Sequence, residues 1–280
     1  MLQRQPKFTP KSLTDRDIAG LRDAARAVVT MHEELSGFLK IGMKLPEIDA
    51  FVAETLRKLN CKSCFHHYKV PGAPPFPSYA CLSVNECVVH GTAAYYREPM
   101  RAGDVLKIDI GTKKAGWIGD AAWTYVFGEP SDEVRSLTDC GKETLARGVR
   151  ELVPGKKLMD WARVVQRYVE NDCGFKMIKG LGGHGYGRQL HGPPYVSNVE
   201  PQHPAEWPDQ AQQLLPNMAI AVEPMIAVSS NQVAQHPSGW PLMVIDGSQS
   251  VHYEHDVLVT EEGNEILTAG LENIEDVISR

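Results

Sequence analysis

The stretch Gly103–Phe127, GDVLKIDIGTKKAGWIGDAAWTYVF, determines how the rest of the chain is interpreted. It predicts two strands joined by a tight turn at Lys114-Ala115, because alternating apolar residues flank a polar segment that ends in glycine. Each predicted strand carries one aspartate, Asp109 on the first and Asp120 on the second. Pairing about this turn would set the two carboxylates directly opposite each other, on the face away from the main apolar row.

Two aspartates placed in this way would repel each other, because the Cβ atoms of opposed strand residues lie roughly 5 Å apart. Three arrangements relieve the repulsion: a shared proton, a bound cation, or a sheet edge that faces water. The apolar strands on both sides disfavour the edge, since an unpaired buried charge costs several kcal/mol.

Composition places the chain among ordinary globular proteins. It has 280 residues, of which 42% are hydrophobic and 23% charged, enough for one large core. A net charge of −6 argues against a nucleic-acid partner. The sequence shows neither the ~20-residue apolar run of a membrane span nor a secretory signal. A cytoplasmic location without membrane association is therefore the expectation. In such a chain the six cysteines, the CxxC of Cys61–Cys64 included, are predicted to be free thiols.

Helical periodicity and helix-breaking residues divide the chain into predicted elements. Residues 1–13 are predicted to be a loose tail. Helices are predicted over about 14–35, 46–60, 132–152 and 158–173. The segment 64–80 is rich in proline and aromatic residues, which predicts a loop over a site.

An internal comparison links the two parts of the chain. Aligning residues 102–104 with 216–218 makes Asp109 and Glu223 equivalent, each within a predicted apolar strand. A second acid follows each of them on a later predicted strand, Asp120 or Glu254. This weak repeat predicts two similar α+β halves, roughly 14–140 and 141–270, within a single domain over 14–280. The four carboxylates would converge between the halves.

Four carboxylates and the imidazole of His184 would form a site suited to Mn²⁺, Fe²⁺, Co²⁺ or Zn²⁺. Four acids carry too much charge for one divalent ion but suit two, and such a pair can activate a shared water and polarise a carbonyl, which favours amide hydrolysis. His184 lies in GGHGYGR, whose glycines are predicted to let the backbone approach closely a ligand that His184 holds. A phosphate loop is disfavoured, because the segment lacks GxGxxG spacing and a Walker lysine.

Together, these motifs resemble the methionine aminopeptidases, members of the pita-bread metallopeptidase fold, over about residues 14–270. The resemblance is carried by Asp109, Asp120, GGHGYGR with His184, AVEPM with Glu223 and QSVHYEH with Glu254. It implies an α+β pita-bread fold, with two pseudo-symmetric halves and a curved antiparallel sheet enclosing a dinuclear metal site. The short segment between His191 and Glu223 is similar to the bacterial-type first class, which lacks the helical insertion of the second.

The resemblance also implies a role for each site residue. Asp109 would chelate one ion, Asp120 and Glu254 would bridge both, and His184 and Glu223 would hold the other. Glu223 would act as general base for the metal-bridging water.

The remaining implied roles concern the substrate. His90 and His191 would contact the scissile amide and stabilise the oxyanion. The methionine pocket would comprise Phe76, Cys81, Met225 and Trp240.

The implied activity is removal of the initiator methionine from nascent polypeptides or short peptides whose second residue is small. The implied cofactors are two divalent ions, Co, Mn, Fe or Zn, and the expected state is a monomer that contacts the ribosome exit region transiently. The sequence departs from the family at Gly111 and Ala121, where hydroxyl residues are common, at Leu190, where Phe is usual, and in a longer loop over 66–79. The first two changes remove hydrogen bonds that tune metal affinity.

Two alternatives stay open at this point. A proline-specific aminopeptidase or dipeptidase of the same fold would prefer X-Pro peptides, but such enzymes usually carry a large N-terminal domain that nothing before residue 14 could form. A non-catalytic relative that binds ribosome, RNA or protein would be expected to lose metal ligands and gain basic tails. Metal analysis and peptide assays would separate these readings.

Overall fold

The computed structural model describes residues 13–280. The predicted tail therefore lies, apart from its last residue, outside the described residues. The predicted helices are confirmed as α1 (Asp15–Phe38), α2 (Leu45–Lys58), α3 (Asp132–Val149) and α4 (Leu158–Arg167), which continues as a π-helical turn, Tyr168–Asp172. Helix α1 begins where it does because the Thr14 hydroxyl accepts the Asp17 N–H while the Asp17 carboxylate accepts the Thr14 N–H.

Antiparallel pairing dominates the strands. The first strands are β1 (Lys62–Ser63), β2 (Cys81–Val84), β3 (Cys87–Val89), β4 (Val105–Lys114) and β5 (Trp117–Phe127). After helix α4 come β6 (Lys176–Met177), β7 (Gly182–Gly185), β8 (Gly192–Ser197), β9 (Ala219–Val222), β10 (Met225–Ala227), β11 (Val233–Gln235), β12 (Leu242–Val244), β13 (Ser250–His252), β14 (His255–Val259), β15 (Asn264–Ile266) and β16 (Val277–Ile278). Within residues 13–280 they form four sheets: β1-β4-β5-β16 with β2 on β4, β13-β10-β6, β11-β12-β3 and β15-β14-β9-β7-β8.

The hairpin β4–β5 has a register that differs from the predicted one. Lys114 pairs with Trp117, so the turn is Ala115-Gly116, whose φ values of 48° and 89° are those of a type I′ turn. The prediction that Asp109 lies directly opposite Asp120 is therefore wrong. Asp109 pairs with Ala122 and Asp120 with Gly111. The offset is two residues, which keeps both carboxylates on the same face.

A second feature is the crossing of two chain segments, β9–β10 and β13–β14, each of which runs from one sheet into another. β9 pairs with β14 in one sheet, and their continuations β10 and β13 pair in another. Glu223 and Glu254 lie in the two breaks where the chain changes sheet. The prediction that Glu223 lies within a strand is wrong, because Pro224 has no N–H and interrupts the ladder. The prediction that Glu254 lies on a strand is also wrong, because β13 ends at His252 and β14 begins only at His255, where the chain changes sheet.

Helices cover the sheets on the side away from the acids. Helix α1 packs on β4 and β5, α3 on β10 and β13, and α4 on β8. The largest core cluster draws on both predicted halves, with Val28 and Trp123 from the first and Trp161 and Ile226 from the second. The boundary near residue 140 and the single domain stay predictions. Across residues 13–280, no helix combines the length and apolar character that crossing a bilayer requires.

Candidate metal centre and active site

One cavity of about 600 Å³ collects the predicted site residues from both parts of the chain. Its lining includes Asp109, Asp120, His184, Glu223, Glu254, His90, His191, Phe76, Cys81, Met225 and Trp240. The structure therefore brings every residue that the sequence assigned to the site to the same place.

The acids approach each other through backbone contacts between strands. Asp109 and Asp120 project from the same face of the hairpin. The N–H of Glu254 donates to the carbonyl of Ala122 at 2.9 Å, which holds the break before β14 against β5. Beside this hydrogen bond, the N–H of Asp120 donates to Oδ2 of Asp256 at 2.8 Å. These two contacts place carboxylates from a distant part of the chain beside the hairpin.

His184 on β7 faces two of these acids. Its Nε2 lies 3.9 Å from Oδ2 of Asp120 and 3.8 Å from Oε1 of Glu223. Its Nδ1 donates to the carbonyl of Gly185 at 3.2 Å, which leaves Nε2 free to act as a ligand. The two Nε2–oxygen distances are too long for hydrogen bonds but suit atoms that share one ion, each about 2.1 Å from it.

Two compact groups of side chains could hold a metal ion. One is Asp120, His184 and Glu254, and the other is Glu223, His252 and Glu254, with the ligand atoms of each group within 4.8 Å of one another. Glu254 belongs to both, so the two positions are adjacent. Asp109 is in neither group, although it lines the same cavity. His252 was not predicted from the sequence, although it stands two residues before Glu254, within QSVHYEH.

Burial changes the protonation of the acids. Burial, followed by the charge of Asp120, raises the pKa of Asp109 well above its usual range, and burial raises the pKa of Asp120 to about 7. The pKa values of Glu223 and Glu254 are also raised by burial and then by neighbouring carboxylates. Oδ1 of Asp109 and Oδ1 of Asp120 are buried without a hydrogen-bond partner. These residues fit divalent cations, which would neutralise the acids and occupy their unpaired oxygens.

The histidines of the cavity are neutral at ordinary pH. Burial lowers the pKa of His184 to about 3 and that of His90 to about 4, and the charge of His191 adds to both effects. Nδ1 of His191 shares a hydrogen bond with the Tyr68 hydroxyl at 2.7 Å. Neutral imidazoles of this kind can bind a metal or donate an N–H to a substrate.

Apolar side chains form another part of the cavity wall. The rings of Phe76 and Trp240 meet edge to face with their centroids 5.2 Å apart, and the indole N–H of Trp240 donates to the carbonyl of Pro74 at 2.9 Å. The predicted loop over 64–80 thus covers the cavity. Wall residues that the sequence did not assign to the site are Phe65, Tyr68, Leu190 and Tyr195. The high aromatic content of the loop is the sequence feature that could have indicated Phe65 and Tyr68.

The glycines around His184 have a packing role that the sequence did not predict. A Cβ on Gly183 would lie 2.1 Å from the carbonyl oxygen of Ala221 on β9, and one on Gly185 would lie 2.1 Å from that of Pro193 on β8. These glycines let β7 fit between its neighbouring strands. Gly182 and Gly183 also line the cavity, and the expectation that they bring backbone close to a ligand stays a prediction.

One departure from the family pattern, Gly111, has a local explanation. A Cβ on Gly111 would lie 2.8 Å from the ring of Phe65, so this aromatic side chain fills the space that a hydroxyl residue would need. Behind Asp120, the buried carboxylate of Asp256 accepts the backbone N–H of Asp120. Asp256 is therefore an outer support of the site that the sequence did not reveal.

Comparisons with known proteins agree with this geometry. Residues 19–261 match the model of metallopeptidase family M24. The methionine aminopeptidase 1 of Bacillus subtilis is 34% identical over 255 residues, covering 91% of this chain and 97% of the relative. The crystal structure of a methionine aminopeptidase from Thermotoga maritima superposes with a TM-score of 0.84 at 31% identity, covering 93% of this chain and 99% of that one.

A more distant structure shares the fold alone. An Xaa-Pro dipeptidase from Bacillus anthracis has a TM-score of 0.69 at 22% identity, and the match covers 95% of this chain but 63% of that one. The predicted α+β pita-bread fold is confirmed by these structural neighbours. With the family model and the Bacillus subtilis relative both matching over most of its length, the chain belongs to metallopeptidase family M24.

Proposed function

We propose that this protein is a metal-dependent methionine aminopeptidase, which removes the N-terminal methionine from nascent polypeptides and peptides whose second residue is small. The observation that carries the proposal is one cavity lined both by the acids with His184 and by apolar side chains that include the soft sulfur atoms of Cys81 and Met225, which suit a thioether. The relatives named methionine aminopeptidase support the same activity.

In this proposal, the metal ligands are Asp109, Asp120, His184, Glu223 and Glu254, and they hold two divalent ions, Co, Mn, Fe or Zn. Orphaned buried carboxylate oxygens and raised acid pKa values support this assignment. When bound, such ions supply Lewis-acid polarisation of a carbonyl and a more acidic water.

Glu223 is the general base. It takes a proton from the attacking water and delivers it to the leaving amine, for which a buried carboxylate at the cavity surface is well placed. Burial and the charges of Asp109 and Asp120 raise its pKa, so the carboxylate is ionised and able to accept a proton only when cations compensate the neighbouring charges.

His90 and His191 bind the scissile amide. The Tyr68 hydroxyl can donate to Nδ1 of His191, which leaves the Nε2–H of this imidazole as a donor to the carbonyl oxygen on which negative charge develops. The ring of Trp240 meets His90 edge to face at 6.1 Å and restricts its orientation.

Phe76, Cys81, Met225 and Trp240 form the pocket for the methionine side chain. All four line the cavity, together with Phe65 and Leu190. Packing of these side chains excludes water from one side of the reacting amide, which strengthens electrostatic interactions on the other side.

We further propose that the protein is cytoplasmic and acts as a monomer on nascent chains or short peptides. It would contact the ribosome exit region transiently and would have no nucleic-acid or membrane partner. All six cysteines are free, which is consistent with a reducing compartment.

The test is an aminopeptidase assay on the metal-free protein, after addition of Co²⁺ or Mn²⁺. Peptides that begin Met-Ala, Met-Leu, Leu-Ala and Leu-Pro separate the readings. We expect release of methionine from the Met-Ala peptide in the presence of metal and little release from the others. Preference for the X-Pro peptide would overturn the methionine assignment, and metal binding without turnover of any peptide would favour a non-catalytic role.

A further inference from the structure

His252 lies behind the general base. It is 1% exposed, and its Nε2 is 3.2 Å from Oε2 of Glu223. The other oxygen of that carboxylate, Oε1, faces His184 at 3.8 Å. Glu223 therefore lies between two imidazoles, one on each side.

We propose that His252 is an additional metal ligand, which binds through Nε2 together with Glu223 and Glu254. The inference rests on the proposed function, because it concerns the ions of the same centre. The centre would then have two imidazole ligands, one in each of the compact groups that share Glu254.

The environment of Nε2 favours a ligand over a hydrogen-bond donor. Although it lies near a carboxylate, Nε2 of His252 is buried and makes no hydrogen bond of acceptable geometry. An orphaned buried nitrogen is costly unless a further group binds it. A cation among the Nε2 of His252 and the carboxylates of Glu223 and Glu254 would satisfy this atom and both acids.

The backbone holds His252 in this orientation. Its N–H donates to the hydroxyl of Thr124 at 3.1 Å, and that hydroxyl donates to its carbonyl at 2.7 Å. Its Cα is also in register with Met225 on β10. Thr124 lies on the same hairpin strand as Asp120, so one strand orients ligands from both groups.

A second imidazole changes the expected metal preference. Nitrogen ligands suit Zn²⁺, Co²⁺ and Fe²⁺ better than Mn²⁺ or Mg²⁺, which prefer oxygen. We therefore expect removal of His252 to weaken Co²⁺ binding more than Mn²⁺ binding.

The test uses Co²⁺ added to the metal-free protein and proton NMR of the solvent-exchangeable, hyperfine-shifted imidazole N–H signals. Each coordinated histidine contributes one such signal. We expect two in the unchanged protein, one in His252→Gln and one in His184→Gln. The control His32→Gln replaces a buried histidine outside the cavity and should leave both signals in place.

Calorimetric titration of Co²⁺ provides the second readout. Glutamine keeps a hydrogen-bond donor but has no imidazole, so His252→Gln should lose at least about tenfold in affinity for one ion if His252 is a ligand. A single histidine signal in the unchanged protein, or unchanged signals and affinity in His252→Gln, would overturn the inference. Methionine release by the Co²⁺-loaded protein tests the proposed function separately, because turnover with one coordinated imidazole would refute only the role of His252.

Discussion

The hairpin β4–β5 and the crossing of β9–β10 with β13–β14 supply acids to the same cavity by different routes. The hairpin strands have 10 and 11 residues and are joined by a two-residue turn, so a local register orients Asp109 and Asp120. The crossing strands have three to five residues, and Glu223 and Glu254 lie in the breaks between them. One region positions its ligands by regular pairing, and the other positions them by interrupting it.

This difference has an energetic basis. A long antiparallel ladder with a well-matched turn is largely determined by neighbouring residues. Strands of three or four residues are not stable alone and depend on what packs against them. Helix α3 packs on β10 and β13, so the geometry of the crossing depends on a distant helix.

The largest expected effect comes from the crossing. Glu223→Gln keeps the size of the side chain but removes the base, so kcat/KM for a Met-Ala peptide should fall by about 10³-fold or more. Glu200→Gln, at an exposed glutamate, is the control and should stay close to the unchanged protein. Steady-state kinetics at saturating Co²⁺ measure both. A Glu223→Gln variant within tenfold of the unchanged protein would show that the crossing does not supply the base.

The next effect concerns the helix that anchors the hairpin. His32 on α1 lies 3.0 Å from the Tyr125 hydroxyl and 3.2 Å from the carbonyl of Ala121, and burial lowers its pKa to about 4. Between about pH 6.5 and 4 the unfolded state binds more protons at this residue, so its contribution to stability is lost as the pH falls. The stability advantage over His32→Gln should shrink by about 3 kcal/mol from pH 7 to pH 4.

Urea unfolding of the metal-free proteins at pH 7, 5.5 and 4 measures this difference. The comparison between the two proteins cancels the titration of the other groups. A difference that stays constant with pH would contradict the lowered pKa of His32.

A smaller effect tests the dependence of the crossing on α3. A Cβ on Gly141 would lie 2.5 Å from the ring of Tyr253, the residue before Glu254. Gly141→Ala should therefore destabilise the protein by about 1–3 kcal/mol and lower kcat/KM as well. Gly37→Ala, in α1 with nothing within 4 Å, should be stabilising by about 0.5–1 kcal/mol and leave turnover unchanged. Equal effects of the two variants on unfolding and turnover would refute this dependence.

The smallest expected effect tests the turn of the hairpin. Ala115 has a φ of 48°, a conformation that asparagine tolerates better, and Asn-Gly is the preferred type I′ sequence. Ala115→Asn should raise the free energy of unfolding by a few tenths to about 1 kcal/mol. Gly116→Ala should lower it, since φ is 89° there. Thermal unfolding measures both, and stabilisation by the second variant would contradict the assigned turn.

The features that neighbouring residues determine were predicted correctly from the sequence. The alternation of Gly103–Phe127 placed Asp109 and Asp120 on one face even though the turn was predicted one residue early. An error of one residue in the turn centre moves the pairing by two residues, which changes the partners but keeps the face. The acids after residue 200 were found from their spacing and from the family resemblance, not from a correct strand assignment.

Other residues of the site could not be predicted in this way. His252 and Asp256 approach the cavity only because β13 and β14 pack against β5. Tyr68 reaches His191 from a loop without regular structure. The packing of Gly183 and Gly185 against neighbouring strands was also not predicted, because those strands are distant in sequence.

The sequence by itself determined the helices, the hairpin and the set of acids and histidines that the chemistry requires, because periodicity, turns and motif spacing are properties of neighbouring residues. Tertiary structure alone decided which atoms face each other: the break at Glu223, the support by Asp256 and the position of His252 beside the general base. These depend on short strands that acquire their register only when distant elements pack together, so no local pattern encodes them.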